Sequence, residues 1–259
     1  MLLVDSHSHF DDASFASDRE AVLARARTAG VMAQILPATH ADAWQNLQNV
    51  CQEHPGLYPA YGLHPVYLPV HLPEHLDNLR QRLDSGAPCV AVGEIGLDYF
   101  LDTLDRQRQQ DFFEAQLKLA LTFNLPVIIH ARRAFDAVIA TLRRFPGSRG
   151  VIHSFSGSQE QAKQLCKMGF MLGIGGPITY ERAQRLRRTV KQIPLENLLL
   201  ETDAPDQPDS QWRGQRNEPA RLIKVLDTLA ELRGESPEHI AAATTANAER
   251  LFGIHIHAA

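Results

Sequence analysis

What most constrains this chain is an alternation sustained from end to end: short apolar runs rich in β-formers, separated by longer amphipathic stretches. Eight such runs stand out: LLVD (2–5), VMAQILP (31–37), LYPAYG (57–62), CVAVGE (89–94), PVIIH (126–130), GVIHS (150–154), FMLGIG (170–175) and NLLLET (197–202). Most are continuously apolar, and a strand reads that way when both of its faces are covered, as in a parallel sheet clothed by helices. Eight strands, each followed by a helix, in about 250 residues meet the requirement of a (β/α)8 TIM barrel. An open doubly wound sheet is the other arrangement, but eight consecutive regular units favour closure and no Gly-rich phosphate fingerprint follows the first run. The expectation is one α/β domain over residues 1–259, with its working end where the barrel strands end.

The stretches between the runs carry helix punctuation. Ser17 and Glu20 read as a capping box, and Gly30 closes that helix before the second run. A helix over roughly 105–123 places Phe112, Phe113, Gln116, Leu117, Ala120 and Leu121 at three-four spacing and ends at Asn124 and Pro126. Two more helices are expected near 218–234 and 237–251, the second opened by SPE. No linker or low-complexity tract divides the chain.

Composition narrows the class. No stretch approaches the roughly 18 consecutive apolar residues of a membrane span, and the N-terminus has no basic leader region, so a soluble cytoplasmic protein without membrane association is expected. Three cysteines, Cys51, Cys89 and Cys166, are too few and too far apart for a disulfide framework or a zinc finger. A net charge of −4 and a pI near 6.3 exclude a protein that coats nucleic acid non-specifically, while leaving room for one local basic groove. Nothing in the sequence calls for an obligate protein partner.

Barrel geometry makes a test, because ligand-type residues of an active barrel collect at strand ends. His7 and His9 follow the first run, Glu94 ends the fourth, His130 the fifth, His153 the sixth, and Asp203 follows the eighth. Read alone, each is unremarkable, as a capping or salt-bridged carboxylate or a hydrogen-bonded core histidine. The chain holds a control: GIHIHAA repeats the His-x-His spacing at His255 and His257, in a tail expected to be unstructured. Company separates the first pair from the second. Burying an unpartnered polar group costs on the order of 1–3 kcal/mol, and a shared metal centre would give all six residues partners. Imidazole with carboxylate suits Zn, Mn, Fe or Ni, and Mg with more water; six protein ligands suit two ions sharing a carboxylate.

The motifs DSHSHF, GLHP, GEIGLDY, HARRAF, HSFSG, LETDAP and RNEP, in this order across nearly the whole chain, resemble those of the TatD-type metal-dependent hydrolases of the amidohydrolase superfamily. The resemblance implies a distorted (β/α)8 barrel carrying two divalent ions (Zn, Mn or Mg). His7 and His9 would hold one, His130 and His153 the other, and Glu94 would bridge them. Asp203 would complete the coordination of the first ion and act as general base. The implied activity is hydrolysis of phosphodiester bonds, with DNA as substrate and an exonuclease as one form of it. The alternatives are an amide, lactone or phosphotriester hydrolase, and a metal-stabilised barrel that binds without turnover.

Around this set stand candidates for substrate contact. Arg132 is placed to reach a phosphoryl oxygen, against a solvated arginine opening the next helix, and His64 in GLHP is placed to bond substrate or support the ligands. Asp98 and Tyr99 are expected to support Glu94 or line the cleft; for Arg216, Asn217 and Glu218 loop packing is at least as good an account. Two departures from the family pattern stand out: Ser154, where relatives often have cysteine, and DQPDSQWRG after LETDAP, whose Asp206 and Asp209 are expected to repel a polyanion.

Overall fold

The computed structural model describes residues 1–256, so His257 of the C-terminal pair lies outside the described residues; His255 is exposed beyond the last helix. Eight parallel strands form one sheet in sequence order: β1 (Leu3–Asp5), β2 (Val31–Pro37), β3 (Leu57–Tyr61), β4 (Ala91–Asp98), β5 (Val127–Arg132), β6 (Gly150–Ile152), β7 (Met171–Ile174) and β8 (Leu198–Leu200). The α-helices among the described residues are α1 (Arg19–Thr28), α2 (Trp44–Glu53), α3 (Glu74–Asp84), α4 (Arg106–Thr122), α5 (Phe135–Arg143), α6 (Gln159–Lys167), α7 (Gln184–Val190), α8 (Leu222–Arg233) and α9 (Pro237–Phe252). The seam between β8 and β1 is drawn together just past the strands. Ser6 N–H donates to Leu200 O and Asp203 N–H to His7 O, both at 2.9 Å, and the Asp5 carboxylate accepts from Thr202 N–H at 2.9 Å. The result is a nearly closed (β/α)8 barrel.

Alternation along the strands divides the core in two. Val4, Ile35, Ala60, Ala91, Ile128, Val151, Met171 and Leu199, one from each strand, form an inner cluster. Their neighbours Leu3, Leu36, Tyr61, Val92, Ile129, Ile152, Leu172 and Leu200 join the helices in an outer one, as a side-chain period of two requires. Leu251, Phe252 and Ile254, from the end of α9 and just beyond it, belong to the inner cluster. Asn247 of α9 donates to Leu195 O and Leu198 O at the start of β8, at 2.8 and 2.9 Å. The helix therefore plugs the N-terminal end of the barrel and leaves the C-terminal end open.

Local details confirm some of the punctuation and correct the rest. Gly30 follows α1 at φ +89°, and a Cβ there would meet Met1 O at 2.5 Å, so only glycine fits. Ser17 and Glu20 form no capping box: α1 starts one residue late for it, behind Asp18, whose side chain makes no cap. Asp18 is instead held by the Arg216 guanidinium at 2.7 and 2.9 Å. β4 does not end at Glu94 but runs on to Asp98, because IGLD continues the apolar pattern. Its register against β5 shifts between Val92 and Ile95, and such a bulge re-aims the side chain it carries.

Candidate metal centre

Glu94, 2% exposed, lies at the middle of the C-terminal mouth. Its Oε2 faces His7 Nε2 at 3.3 Å and His9 Nε2 at 3.7 Å. Its Oε1 faces His64 Nε2 at 3.2 Å, His130 Nδ1 at 3.2 Å and His153 Nε2 at 3.3 Å. Asp203 Oδ1 stands 3.5 Å from His7 Nε2 and 3.6 Å from His9 Nε2. All six residues expected from the strand ends thus converge. These approaches, from 3.2 to 3.7 Å, lie at or beyond the long end of the hydrogen-bond range, and buried Glu94 Oε1 has no hydrogen-bond partner in protein. Ligand atoms gathered round common points, with a 3.3 Å approach of His7 Nε2 to His9 Nε2 as the one hydrogen bond among them, fit a cage for cations.

The groupings cut across the pairing implied by the family pattern. Ligand atoms lie within 4.8 Å of one another in three sets: His7, His9 and Glu94; His7, His153 and Asp203; His64, Glu94 and His130. His153 stacks on His7 with ring centroids 3.8 Å apart, and His64 stands as close to Glu94 as His130 does. The sequence offers His64 as a substrate contact or a support for the ligands, and its place just past β3, equivalent to theirs, is the signal for this position.

Two carboxylates that sequence reasoning misread or missed hold the histidines from behind. Asp98 supports not Glu94 but His130, through Oδ2 at 3.0 Å from His130 Nε2, leaving Nδ1 for the centre. Glu201, 1% exposed, sets Oε1 3.4 Å from His153 Nδ1 and accepts Ser154 N–H at 2.5 Å. It fits only because Gly173 on β7 has no side chain, since a Cβ there would lie 2.1 Å from Glu201 Oε2. A carboxylate on the far nitrogen fixes the tautomer and orientation of a ligating imidazole. The two-residue step from Glu201 to Asp203 was the legible hint.

Electrostatics favour the ligating forms of Glu94, His7 and His64. Burial pushes Glu94 upward, but His64, His153, His7 and His130 outweigh it and hold the carboxyl well below its usual range. Burial, helped by His153, pushes His7 well down, and burial also lowers His64. An ionised carboxylate and neutral imidazoles are the forms that bind metal. For His130 and His153 burial acts downward too, yet Asp98 and Glu94 raise His130, and Glu94, Glu201 and Asp203 raise His153 to about 10. Burial raises Asp203.

Above the centre opens a cavity of about 850 Å³ lined by His9, His64, Glu94, His130, His153 and Asp203 among others. Arg132 also lines it, with its guanidinium over the Phe100 ring at 3.7 Å. Arg216, Asn217 and Glu218 turn to packing: Arg216 binds Asp18, Asn217 Nδ2 donates to Thr202 O at 2.9 Å, and Glu218 takes Arg25 at 2.7 Å. The expected repulsion by Asp209 is corrected, because it is 1% exposed and neutralised by Arg221 at 2.6 and 2.9 Å. Asp206 is exposed on the cavity wall.

The family profile described as TatD related DNase matches residues 4–253. The chain belongs to the TatD family. It is 44% identical to the uncharacterized metal-dependent hydrolase YjjV of Escherichia coli K12, over 97% of this chain and 98% of that one. It is 35% identical to the 3'-5' ssDNA/RNA exonuclease TatD of Citrobacter rodentium, over 99% and 100%. The crystal structure of the YjjV TatD homologue superposes with a TM-score of 0.94 at 43% identity, covering 98% of each chain. Within this TatD-family metal-dependent hydrolase, the two departures seen in the sequence meet. Ser154 Oγ–H donates to Gln207 Oε1 at 2.9 Å, and the Gln207 amide donates to Asp203 Oδ2 at 2.5 Å.

No helix among the described residues is long and apolar enough to cross a membrane.

Proposed function

We propose that this protein hydrolyses phosphodiester bonds of nucleic acid at the rim described above, with two divalent ions in the cage. The observation that carries the reading is Glu94, each oxygen of which faces a different set of imidazoles under a cavity whose only Lys or Arg among the described residues is Arg132. His7, His9 and Asp203 would hold one ion, and His130 and His153, with His64 beside them, the other. Ions held this way would supply water acidic enough to react near neutral pH and would draw charge from a phosphoryl oxygen. Asp203 takes the proton of the attacking water and returns it to the departing oxygen. Arg132 gives parallel N–H donors to the phosphoryl group. A phosphodiester gives that arginine an anionic partner, whereas a lactone, amide or triester offers it only a neutral acceptor. The name of the Citrobacter relative, an exonuclease of single-stranded DNA and RNA, supports the same substrate class.

The test is metal-dependent cleavage of end-labelled single- and double-stranded DNA beside bis(p-nitrophenyl) phosphate. Stepwise shortening of DNA that Asp203→Asn abolishes is expected. Glu94→Ala should lower both metal content and rate, and Asp203→Asn rate more than content. Equal loss of metal in both variants removes the role given to Asp203, and no cleavage of either substrate overturns the nuclease reading.

A further inference from the structure

Charge around the mouth is divided by topology. With strands in the order β1 to β8 around the barrel, β1 and β5 stand across from each other. Asp11 and Asp12 follow β1, Asp206 follows β8, and all three line the cavity. On the far side, Phe100 follows β4 and Arg132 ends β5, with Arg133 next to it. An acidic arc therefore faces a basic one across the metal centre.

The basic arc has a built form. The guanidinium carbons of Arg132 and Arg133 lie 3.7 and 4.7 Å from the centroid of the Phe100 ring, which is 40% exposed. Adjacent residues of a strand point to opposite faces. Arg133 departs from that rule, because its φ of +53° is left-handed, a conformation that a non-glycine residue adopts at a cost. The turn brings both guanidiniums to one ring. The ring is itself fixed: Asp98 Oδ1 accepts Phe100 N–H at 2.9 Å and Leu101 N–H at 3.3 Å, and Tyr99 N–H donates to Arg132 O at 2.8 Å. The carboxylate that holds His130 thus also anchors this stack.

Neither arginine makes a side-chain hydrogen bond or ion pair with any described residue. Arg25, Arg216, Arg221 and Arg233 all engage carboxylates. Stacking on a ring limits a guanidinium's freedom while leaving its in-plane N–H donors open to oxygen acceptors. Covering Phe100 from water needs one such side chain, not a second turned back by a left-handed residue.

We propose that Phe100 and Arg133, beside the Arg132 that serves the scissile group, form a subsite for the phosphate next to it, so that a single strand lies over the β4–β5 rim with its end toward the acidic arc. The inference rests on the nuclease reading and adds a direction to it. A chain continuing past the metal centre would bring its next phosphates against Asp11, Asp12 and Asp206, so only a short product fits there.

The test is binding of hexathymidylate to metal-loaded protein in the Asp203→Asn background, by fluorescence anisotropy over a range of salt, beside cleavage by the wild-type protein. Arg133→Ala should weaken binding about tenfold and reduce the slope of log Kd against log salt by about one. Phe100→Leu should weaken it less, and Arg133→Lys should restore part of the loss. Arg80→Ala, at an exposed position of α3, makes the same change in net charge and should do neither. Equal effects of Arg80→Ala and Arg133→Ala, or no binding by the parent protein, overturn the subsite. Cleavage with binding undiminished in Arg133→Ala overturns the subsite and leaves the nuclease reading; binding without wild-type cleavage overturns that reading and leaves the subsite.

Discussion

The side-chain amide of Gln207 donates to Asp203 Oδ2 at 2.5 Å, leaving Oδ1 turned toward His7 and His9. Gln207 is in turn aimed by Ser154, so the loop that departs from the family pattern orients the carboxylate proposed to move the proton. A hydrogen bond to a charged group contributes about 1.5–3 kcal/mol. Gln207→Leu should lower kcat on bis(p-nitrophenyl) phosphate by roughly 10–100-fold with little change in thermal midpoint. Ser154→Cys, whose thiol is a weak donor, should cost less. Full activity in Gln207→Leu would show that Asp203 is oriented without it.

Glu201 and Asp98 act through the histidines they hold, so their removal should show in metal affinity. Glu201→Gln and Asp98→Asn are each expected to weaken metal binding about 10–100-fold, measured by competition with a chelator of known affinity. Gly173→Ala, which changes no ionisable group, should do the same as Glu201→Gln, since its Cβ would fall 2.1 Å from Glu201 Oε2. Gly175→Ala, whose Cβ would come nearest to Glu201 O, at 3.3 Å, and not to its carboxylate, should weaken binding less. Normal affinity in Gly173→Ala would mean that Glu201 does not need this position.

Metal loading should release a proton. With His153 raised to about 10 by Glu94, Glu201 and Asp203 against the opposing effect of burial, that imidazole is charged at pH 7 and must lose its proton to become a ligand. Apparent affinity should therefore rise with pH below that value. Titration calorimetry in buffers of different ionisation enthalpy reads the number directly; His130 and Asp203 are raised as well, so one proton or more per protein is expected. None released would place the charge elsewhere.

The barrel was legible because a continuous apolar run bounded by turn residues has little to become except a strand covered on both faces, and the strand-end residues because a barrel makes strand ends equivalent. What stayed hidden depended on distance across the chain. Nothing in GEIGLDY tells that Asp98 turns to His130 instead of Glu94, or in DQPDSQWRG that Asp209 is neutralised by Arg221 while Gln207 reaches Asp203. The supposed cap at Ser17 failed for a local reason, a helix start displaced by one residue, and Asp18 found a better partner in Arg216, 198 positions away. The stack on Phe100 depended on a left-handed Arg133, which no residue pattern marks.

His71 gives the fold a pH limit separate from the chemistry. It is fully buried, and its Nε2–H donates to His64 O at 2.9 Å while Nδ1 has no hydrogen-bond partner. Protonating Nδ1 would bury a charge beside His64, His75 and His40, so burial chiefly and these neighbours next lower it to about 4, although the bond to His64 O opposes them. A pKa lowered on folding means that the unfolded chain binds the extra proton first. Stability from this residue is complete above about 6.5 and is lost as pH falls toward 4. The loss should reach roughly 2–3 kcal/mol by pH 4.5. Urea midpoints at pH 7 and 4.5 should fall further for the wild-type protein than for His71→Gln, which keeps a donor for His64 O and has nothing to protonate. Equal falls in the two proteins would show that His71 already carries its proton when folded, or that its site admits water.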